Sequence, residues 1–363
     1  MFKKVLCVIL IVAILPVKAA ALSFDLPAAA YAVVSLDTGE IIDCRNIDTP
    51  LPMASTTKIM TCILALENLD LNQKVEIQDQ WVRVEGSSLG LLPGHRLSVR
   101  DLITGMMLRS GNDAANSVAY LVSGSIEKFA DLMDQKALQL DMNNTDFATP
   151  SGLPSDGHYT TARDMIKLSQ YALKNEEFVS ICSKSNATIE VSGEHWQVHN
   201  TNKLLSDVEG AFGVKTGYTD AAGRCLVSAV QRDGKSFLCV TFHMDDHFTY
   251  HKNVYERLYN MTNAELHPFP GYRTMLPVMS GESDRVLVRA EVDPIWFYNR
   301  PQIVNVYLPK FVYADIKAGD IVGYLTYKLP YNEEFTVPLT AAANITRAQP
   351  MSWLDKLIDF LKR

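Results

Sequence analysis

The stretch PMASTTKIM, residues 52–60, sets a serine three positions before a lysine at the head of a nearly unbroken apolar run. A helix N-cap accounts for Ser55, because its hydroxyl can accept one of the orphan N–H groups of a first turn. It does not account for Lys58, which the helical period carries onto the same face and into apolar surroundings. The unbranched apolar positions that follow, Met60, Leu64 and Leu66, predict a buried helix over residues 55–69 with its polar side chains gathered in the first turn. Any chemistry on this helix sits at that end.

Upstream, AYAVVSLDTGEII (residues 30–42) reads as two strands joined by Asp37, Thr38 and Gly39. Downstream, Ser98 and Asp101 form a capping signal ahead of Leu102, Ile103, Met106 and Met107, and this helix is predicted to stop near residues 109–113. Helical patterns continue in DAANSVAYLV and SIEKFADLMDQKALQL. The following ATPSGLPSDGHYTTARDM is punctuated by Pro150, Gly152, Pro154 and Gly157 as a loop entering a helix, so the middle of the chain is mostly helical. Between Phe212 and Met244 the pattern becomes strand-like in FGVKTGY, RCLVSAVQ and SFLCVTFHM, with Asp233-Gly234 as a hairpin signal. That turn puts Cys225 and Cys239 on opposite sheet faces, where they cannot pair.

The ends of the chain have their own texture. Residues 1–21 combine Lys3 and Lys4, an apolar run from Val5 to Val17 and small residues at Ala19–Ala21, the pattern of a secretory leader. Its three lysines would leave with it, from a chain already carrying 41 acidic against 34 basic side chains, which argues against a nucleic-acid partner. The five cysteines beyond it (Cys44, Cys62, Cys182, Cys225, Cys239) are odd in number and irregular in spacing, which favours buried thiols over a disulfide scaffold or a zinc site. The length implies two domains. Beyond His267, DRVLVRAEV, QIVNVYLP and FTVPLTAAANI alternate without long helices, predicting a small all-β domain over 264–347 after a larger one over 22–263. The last stretch, PMSWLDKLIDFLKR, sets Trp353, Leu354, Leu357, Ile358 and Leu361 against Asp355, Lys356, Asp359, Lys362 and Arg363. Too short to cross a bilayer, this amphipathic tail (348–363) can lie on a membrane surface or dock on the β domain.

Two further motifs give the opening pair a setting: Ser110-Gly111-Asn112 at the break between helices, and Lys215-Thr216-Gly217 in a strand that precedes another strand. Acyl transfer needs a nucleophile, a base and a clamp for the substrate. Lys58 can take the Ser55 proton if burial and the nearby charge of Lys215 lower its pKa. Ser110 can relay a proton to a leaving amine, and the Asn112 amide can hold a substrate carbonyl. Gly217 leaves room for a substrate beside the strand, and the N–H groups of Ser55 and Tyr218 can form an oxyanion hole. Lys215 and the Thr216 hydroxyl suit an anionic substrate end.

In the order of these motifs, and in LPGHRLSVRDLITGMMLRSGNDAA, PSGLPSDGHYTTARDM and GVKTGYTDAAGRCLVSAV, the chain resembles the D-alanyl-D-alanine carboxypeptidases among the low-molecular-mass penicillin-binding proteins. The resemblance runs from about Leu26 to Asn260 and implies an α/β transpeptidase fold, a mixed sheet flanked by helices, followed by the β domain and the amphipathic tail. It implies Ser55 as the acylated nucleophile, Lys58 as its base, Ser110 and Asn112 as the second motif, and Lys215 and Thr216 as the carboxylate-side motif. It further implies a stem peptide ending in D-Ala-D-Ala as substrate, acylation by β-lactams, an exported location at the outer face of the cytoplasmic membrane, and no metal or other cofactor. Gly111 in place of the aspartate of S-D-N, with no glutamate-bearing deacylation motif, argues against a class A β-lactamase. Relatives carry an extra basic residue after the third motif, and HMDDHFTYHKN leaves His247, His251 and Lys252 open for it. The same stretch, with His243, Asp245 and Asp246, admits a rival reading as metal ligands.

Overall fold

The structure, a computed structural model, describes residues 22–261, 266–268, 271–290, 296–332, 334–349 and 360–361. The predicted leader and nearly all of the predicted tail helix lie outside them. Strand β1 (Ala30–Ser35) is buried along its whole length, which accounts for its continuous apolar run, and pairs antiparallel with β2 (Ile41–Arg45) through a turn in which Gly39 takes a φ of +76°. The run after Pro52 begins as one 3-10 turn (Ala54–Thr57) and continues as α1 (Lys58–Asn68), with every residue from Lys58 to Ala65 buried. A small pair, β3 (Lys74–Glu76) and β4 (Arg96–Ser98), brackets α2 (Asp79–Val82). Helix α3 (Val99–Arg109) starts where predicted, Asp101 N–H donating to Ser98 Oγ at 3.0 Å. Helices α4 (Asn112–Ser123), α5 (Ile126–Gln139), α6 (Ala162–Ala172) and α7 (Glu176–Cys182) follow, the last three capped by Ser125, Thr161 and Asn175.

A hairpin of β5 (Asn186–Val191) and β6 (Glu194–His199) then interrupts the helices. After the short α8 (Leu204–Asp207) come β7 (Ala211–Thr219), β8 (Gly223–Arg232) and β9 (Lys235–Phe242), as the period-two pattern predicts. Within HMDDHFTYHKN, residues from His247 onward open a helix, α9 (His247–Asn260), that the sequence reading did not predict. Its buried His251, Val254, Tyr255 and Leu258 keep helical spacing, while the His and Asp cluster at its head hides that period. The main sheet has the order β2-β1-β9-β8-β7, with every pair antiparallel and helices on both faces. Cys225 lies in the core under α1, and Cys239 in the core under α9, so the opposite-face prediction holds. Among the described residues Cys62, Cys182, Cys225 and Cys239 are buried thiols.

The second domain is all-β, as expected: β10 (His267–Pro268), β11 (Arg273–Met279), β12 (Arg285–Arg289), β13 (Trp296–Phe297), β14 (Gln302–Tyr307), β15 (Val312–Tyr313), β16 (Ile321–Lys328) and β17 (Glu334–Ala341). Six of these form a sheet in the order β14-β16-β17-β12-β11-β15 over Leu276, Val286, Val288, Leu325 and Leu339. Its edge strands β14 and β15 are joined only by Leu308–Phe311. A flat sheet would hold these edges roughly 24 Å apart, whereas that connection reaches about 18 Å at most. The sheet must therefore curl until its edges approach.

One buried carboxylate ties the domains together. Glu40, 1% exposed, accepts the N–H groups of Tyr298 (2.8 Å) and Asn299 (2.7 Å) and the Asn299 side-chain amide (3.0 Å). Asn299 also donates to Ile42 O at 2.9 Å, and the Tyr331 hydroxyl to Asp43 at 3.0 Å. Burial pushes the Glu40 carboxyl up to about 7, against the pull of its three donors. Because Glu40→Ala leaves those donors buried and unpaired, it should lower stability by about 2–3 kcal/mol, read as a lower calorimetric transition or as separate unfolding of the two domains.

Candidate active site

Ser55 lies in the 3-10 turn that precedes α1, and the turn is held from several sides. Its first residue, Ala54, occupies the left-handed region at φ +47°, uncommon for a residue with a side chain. The Thr57 hydroxyl donates to Ala54 O at 2.8 Å and sits 2.9 Å from His158 Nε2. Since Ala148 N–H donates to His158 Nδ1 at 2.9 Å, the ring proton is on Nε2 and His158 donates to Thr57. Burial pushes His158 down to about 4, which keeps the ring neutral. Gly152, at φ +87°, crosses so close that a Cβ there would come within 1.8 Å of Ala54 O. On the other side, a Cβ on Gly217 of β7 would come within 2.9 Å of Ser55 N. Gly217 thus lets the strand approach the Ser55 turn.

Lys58 is wholly buried and has three acceptors. Its Nζ lies 2.9 Å from Ser55 Oγ, 2.7 Å from Asn112 Oδ1 and 2.6 Å from Ser151 O. Burial first, then the charge of Lys215, lowers its pKa well below the usual ammonium value, and Asp113 opposes them. Lys215 is also buried, bonds Thr216 O at 2.9 Å and is pushed down to about 7 by desolvation. Two amines that titrate far below ordinary lysines in one water-poor site can exchange protons with a hydroxyl.

The second motif stands at the α3–α4 break. Ser110, buried and left-handed at φ 60°, ends α3, and Asn112 opens α4, its Nδ2 donating to Glu85 O at 2.7 Å. Asp113, which the sequence reading did not single out, accepts the N–H groups of Leu89 (2.8 Å), Gly90 (2.9 Å) and Leu91 (2.9 Å) and the Ser88 hydroxyl (2.7 Å). A side chain at Gly111 would meet this knot, its Cβ lying 2.7 Å from Asp113 Oδ1 and 2.9 Å from Leu89 N. That is a local reason for glycine at the middle of the motif.

Not every predicted side chain converges. Alternation along β7 turns Thr216 and Tyr218 to the face opposite Lys215 and Gly217. Thr216 Oγ1 pairs with Thr201 Oγ1 at 2.6 Å, and the exposed Tyr218 ring lies 5.5 Å from the Arg224 guanidinium. Of the three residues left open as an extra cation, His251 is committed to the core: Nδ1 pairs with Ser228 Oγ at 2.7 Å and Nε2 with Thr241 Oγ1 at 2.9 Å, and burial pushes it down to about 3. His247 is buried and pushed down to about 4, and Lys252 pairs with Glu256 along α9 at 3.9 Å. Arg224, directly across from Tyr218 on β8, is a cation that the sequence reading overlooked. With His251 bonded to two hydroxyls the metal reading loses a ligand, and no group of three or more His, Cys, Asp or Glu that could hold a metal occurs among the described residues.

A recess of about 310 Å³ lined by Met53, Ala54, Gly152, Pro154 and Thr219 opens beside the nucleophile turn. A larger cavity of about 630 Å³, lined by Leu36, Phe212 and Gln231, lies at the opposite end of the main sheet. With this geometry in place, residues 17–246 match a family model described as D-alanyl-D-alanine carboxypeptidase. The chain belongs to that family. It is 34% identical over 216 residues to the D-alanyl-D-alanine carboxypeptidase DacF of Bacillus subtilis, a match covering 58% of this chain but only 56% of that protein. It is 35% identical over 213 residues to DacB2 of Mycobacterium tuberculosis, covering 58% of this chain and 73% of the relative. Among solved structures, the D-alanyl-D-alanine carboxypeptidase DacD of Francisella tularensis superposes with a TM-score of 0.66 at 26% identity, covering 92% of this chain and 96% of that one. The second domain is thus part of the likeness.

The close approach at Gly152 gives a direct test. Gly152→Ala adds a methyl group both where backbone already stands and at a positive φ, so it should destabilise the chain by about 3 kcal/mol or more. Denaturant midpoints measure this, and a shift below about 1 kcal/mol would contradict the packing described here.

Proposed function

We propose that this chain is a serine-type D-Ala-D-Ala carboxypeptidase that removes the terminal D-alanine from peptidoglycan stem peptides. The observation that carries this reading is the wholly buried Lys58 amine, 2.9 Å from Ser55 Oγ and lowered in pKa by burial and Lys215. Neutral Lys58 takes the Ser55 proton as Oγ bonds the carbonyl carbon of the penultimate D-Ala. The C–N bond then breaks, and the leaving amine of the terminal D-Ala receives that proton by way of Ser110. Water next attacks the ester, giving one proton back to Ser55 as its bond to carbon breaks. The N–H groups of Ser55 and Tyr218 stabilise the oxyanion in both halves. Neither half calls for a metal or other cofactor.

Substrate binding follows from the edge position of β7, whose outer side can pair with an extended peptide. Asn112 Nδ2 has two hydrogens, one given to Glu85 O and one left for a substrate carbonyl. Lys215 holds the terminal carboxylate, with Gly217 keeping strand and nucleophile close. A β-lactam enters the same way and acylates Ser55. In the domain reading that accompanies this function, residues 22–263 are catalytic, 264–347 form the β domain, and 348–363 lie on the outer face of the cytoplasmic membrane after removal of residues 1–21.

Release of free D-Ala from a synthetic peptide ending in D-Ala-D-Ala, together with covalent labelling by a fluorescent penicillin, tests the reading. Ser55→Ala should lose both, and Lys58→Ala should lower kcat/KM by about 10³-fold or more. Labelling that persists in Ser55→Ala would refute it. The pH profile is a second test. Activity should rise as Lys58 loses its proton and fall above about pH 7 as Lys215 loses the charge that holds the carboxylate. In Lys215→Arg, whose guanidinium stays charged, the alkaline fall should move up by about one unit or more.

A further inference from the structure

The β domain wears its exposed aromatic rings unevenly. One end, where Gln302, Lys328 and Glu334 come into register, neighbours Tyr298, Asn299 and Tyr331, which reach the catalytic domain. The far end gathers Tyr307, Phe311, Tyr313, Ile321, Tyr324 and Met279, each between 42% and 71% exposed. Register brings them together. Tyr307 stands opposite Tyr324 at the far ends of β14 and β16, and Met279 stands beside Tyr313 where β11 meets β15. The rings of Phe311 and Tyr313 meet edge to face at 5.4 Å, and Tyr307, Leu308, Ile321, Tyr324 and the exposed Lys310 line a groove of about 600 Å³. Met275, Ile303 and Val304 are exposed elsewhere on the domain, but the exposed aromatic rings Tyr307, Phe311, Tyr313 and Tyr324 gather toward one tip, and such a gathering marks a contact surface.

Three observations select the occupant. The described part of the β domain ends at this tip, Ala348 N–H donating to Ser280 O at 2.9 Å beside Met279, and the sequence from Pro350 on reads PMSWLDKLIDFLKR. The tip also points away from the chemistry. Ser55 packs on Gly217 toward one end of the main sheet, whereas Glu40 grips the β domain at the other. Finally, the nearby acids Asp315 and Asp320 each spend one carboxylate oxygen on a backbone N–H, of Arg347 (2.6 Å) and Lys317 (2.8 Å), which leaves fewer acceptors for sugar hydroxyls beside the rings.

We propose that this tip is a lipid-contact surface. Phe311, Tyr313, Ile321 and Tyr307 enter the headgroup boundary, and Lys310 meets lipid phosphate. The tip and the amphipathic tail then form one two-point attachment, which restricts tilting and holds the catalytic cleft away from the lipid. The inference rests on the membrane-surface reading of the tail but assigns residues of its own.

Co-sedimentation of the full chain with phosphatidylglycerol–phosphatidylethanolamine vesicles tests it, comparing the unaltered chain, F311S/Y313S, and a deletion of residues 350–363. Each change should lower the partition coefficient about tenfold or more, and both together further still. Penicillin labelling in solution should stay unchanged, as a check on folding. Ile321→Cys carrying an environment-sensitive dye should shift to the blue on vesicle addition. Wild-type partitioning by F311S/Y313S would overturn the tip while leaving the tail reading intact. A deletion without effect beside a weakened tip variant would overturn the tail reading and its two-point form. Loss of self-association instead of vesicle binding in the tip variant would assign the patch to a second copy of the chain, and binding of purified glycan strands instead of vesicles would assign it to saccharide.

Discussion

The candidate site depends on one buried amine. Lys58 sits where water cannot reach it, and its three acceptors come from three separate parts of the chain: the nucleophile turn, the head of α4 and the loop at Ser151. A polar group buried that deeply is costly unless hydrogen-bonded, so the contacts that satisfy it also fix the relative positions of those segments. The second buried amine, Lys215, raises the cost of a proton on the first. The arrangement that lowers the Lys58 pKa is therefore the one that assembles the site.

Close backbone approach does the remaining positioning. Gly152 and Gly217 press on the nucleophile turn from two sides, and Gly111 admits the loop held by Asp113. His158 adds a neutral donor that holds Thr57, which in turn holds the carbonyl of left-handed Ala54. Strain in that turn is retained because its neighbours leave no room to relax. Serving the same turn at different distances along the chain, these residues form one mechanical unit.

A second constraint joins the domains. Glu40 binds two consecutive backbone N–H groups and a side-chain amide of the β domain, so Tyr298 and Asn299 are held by direction as well as by contact. The short link between β14 and β15 forces the sheet beyond to curl, which draws the aromatic side chains of both edges onto one tip. The Ser55 cleft and the aromatic tip thereby lie far from each other along the chain's two domains.

Local pattern determined much of this protein. Capping by Ser98, the Asp37–Gly39 turn, the strands around Lys215 and the separation of Cys225 from Cys239 follow from side-chain period and turn chemistry acting over a few residues, and the three motifs singled out Ser55, Lys58, Asn112 and Lys215. Helix α9 escaped because polar side chains at its head, His247 and His251 among them, are buried there by tertiary contacts, and propensity carries no information about that burial. Asp113, Gly152 and Arg224 escaped for a related reason: their roles lie in contacts between segments distant in sequence, or across paired strands. Tyr218 and Thr216 are the converse case, since a motif names residue types while strand alternation decides which face each side chain meets. The sequence determined which groups are present and in which elements they sit. Only the folded chain decided which of them meet, because burial, close approach and pKa are properties of neighbours in space.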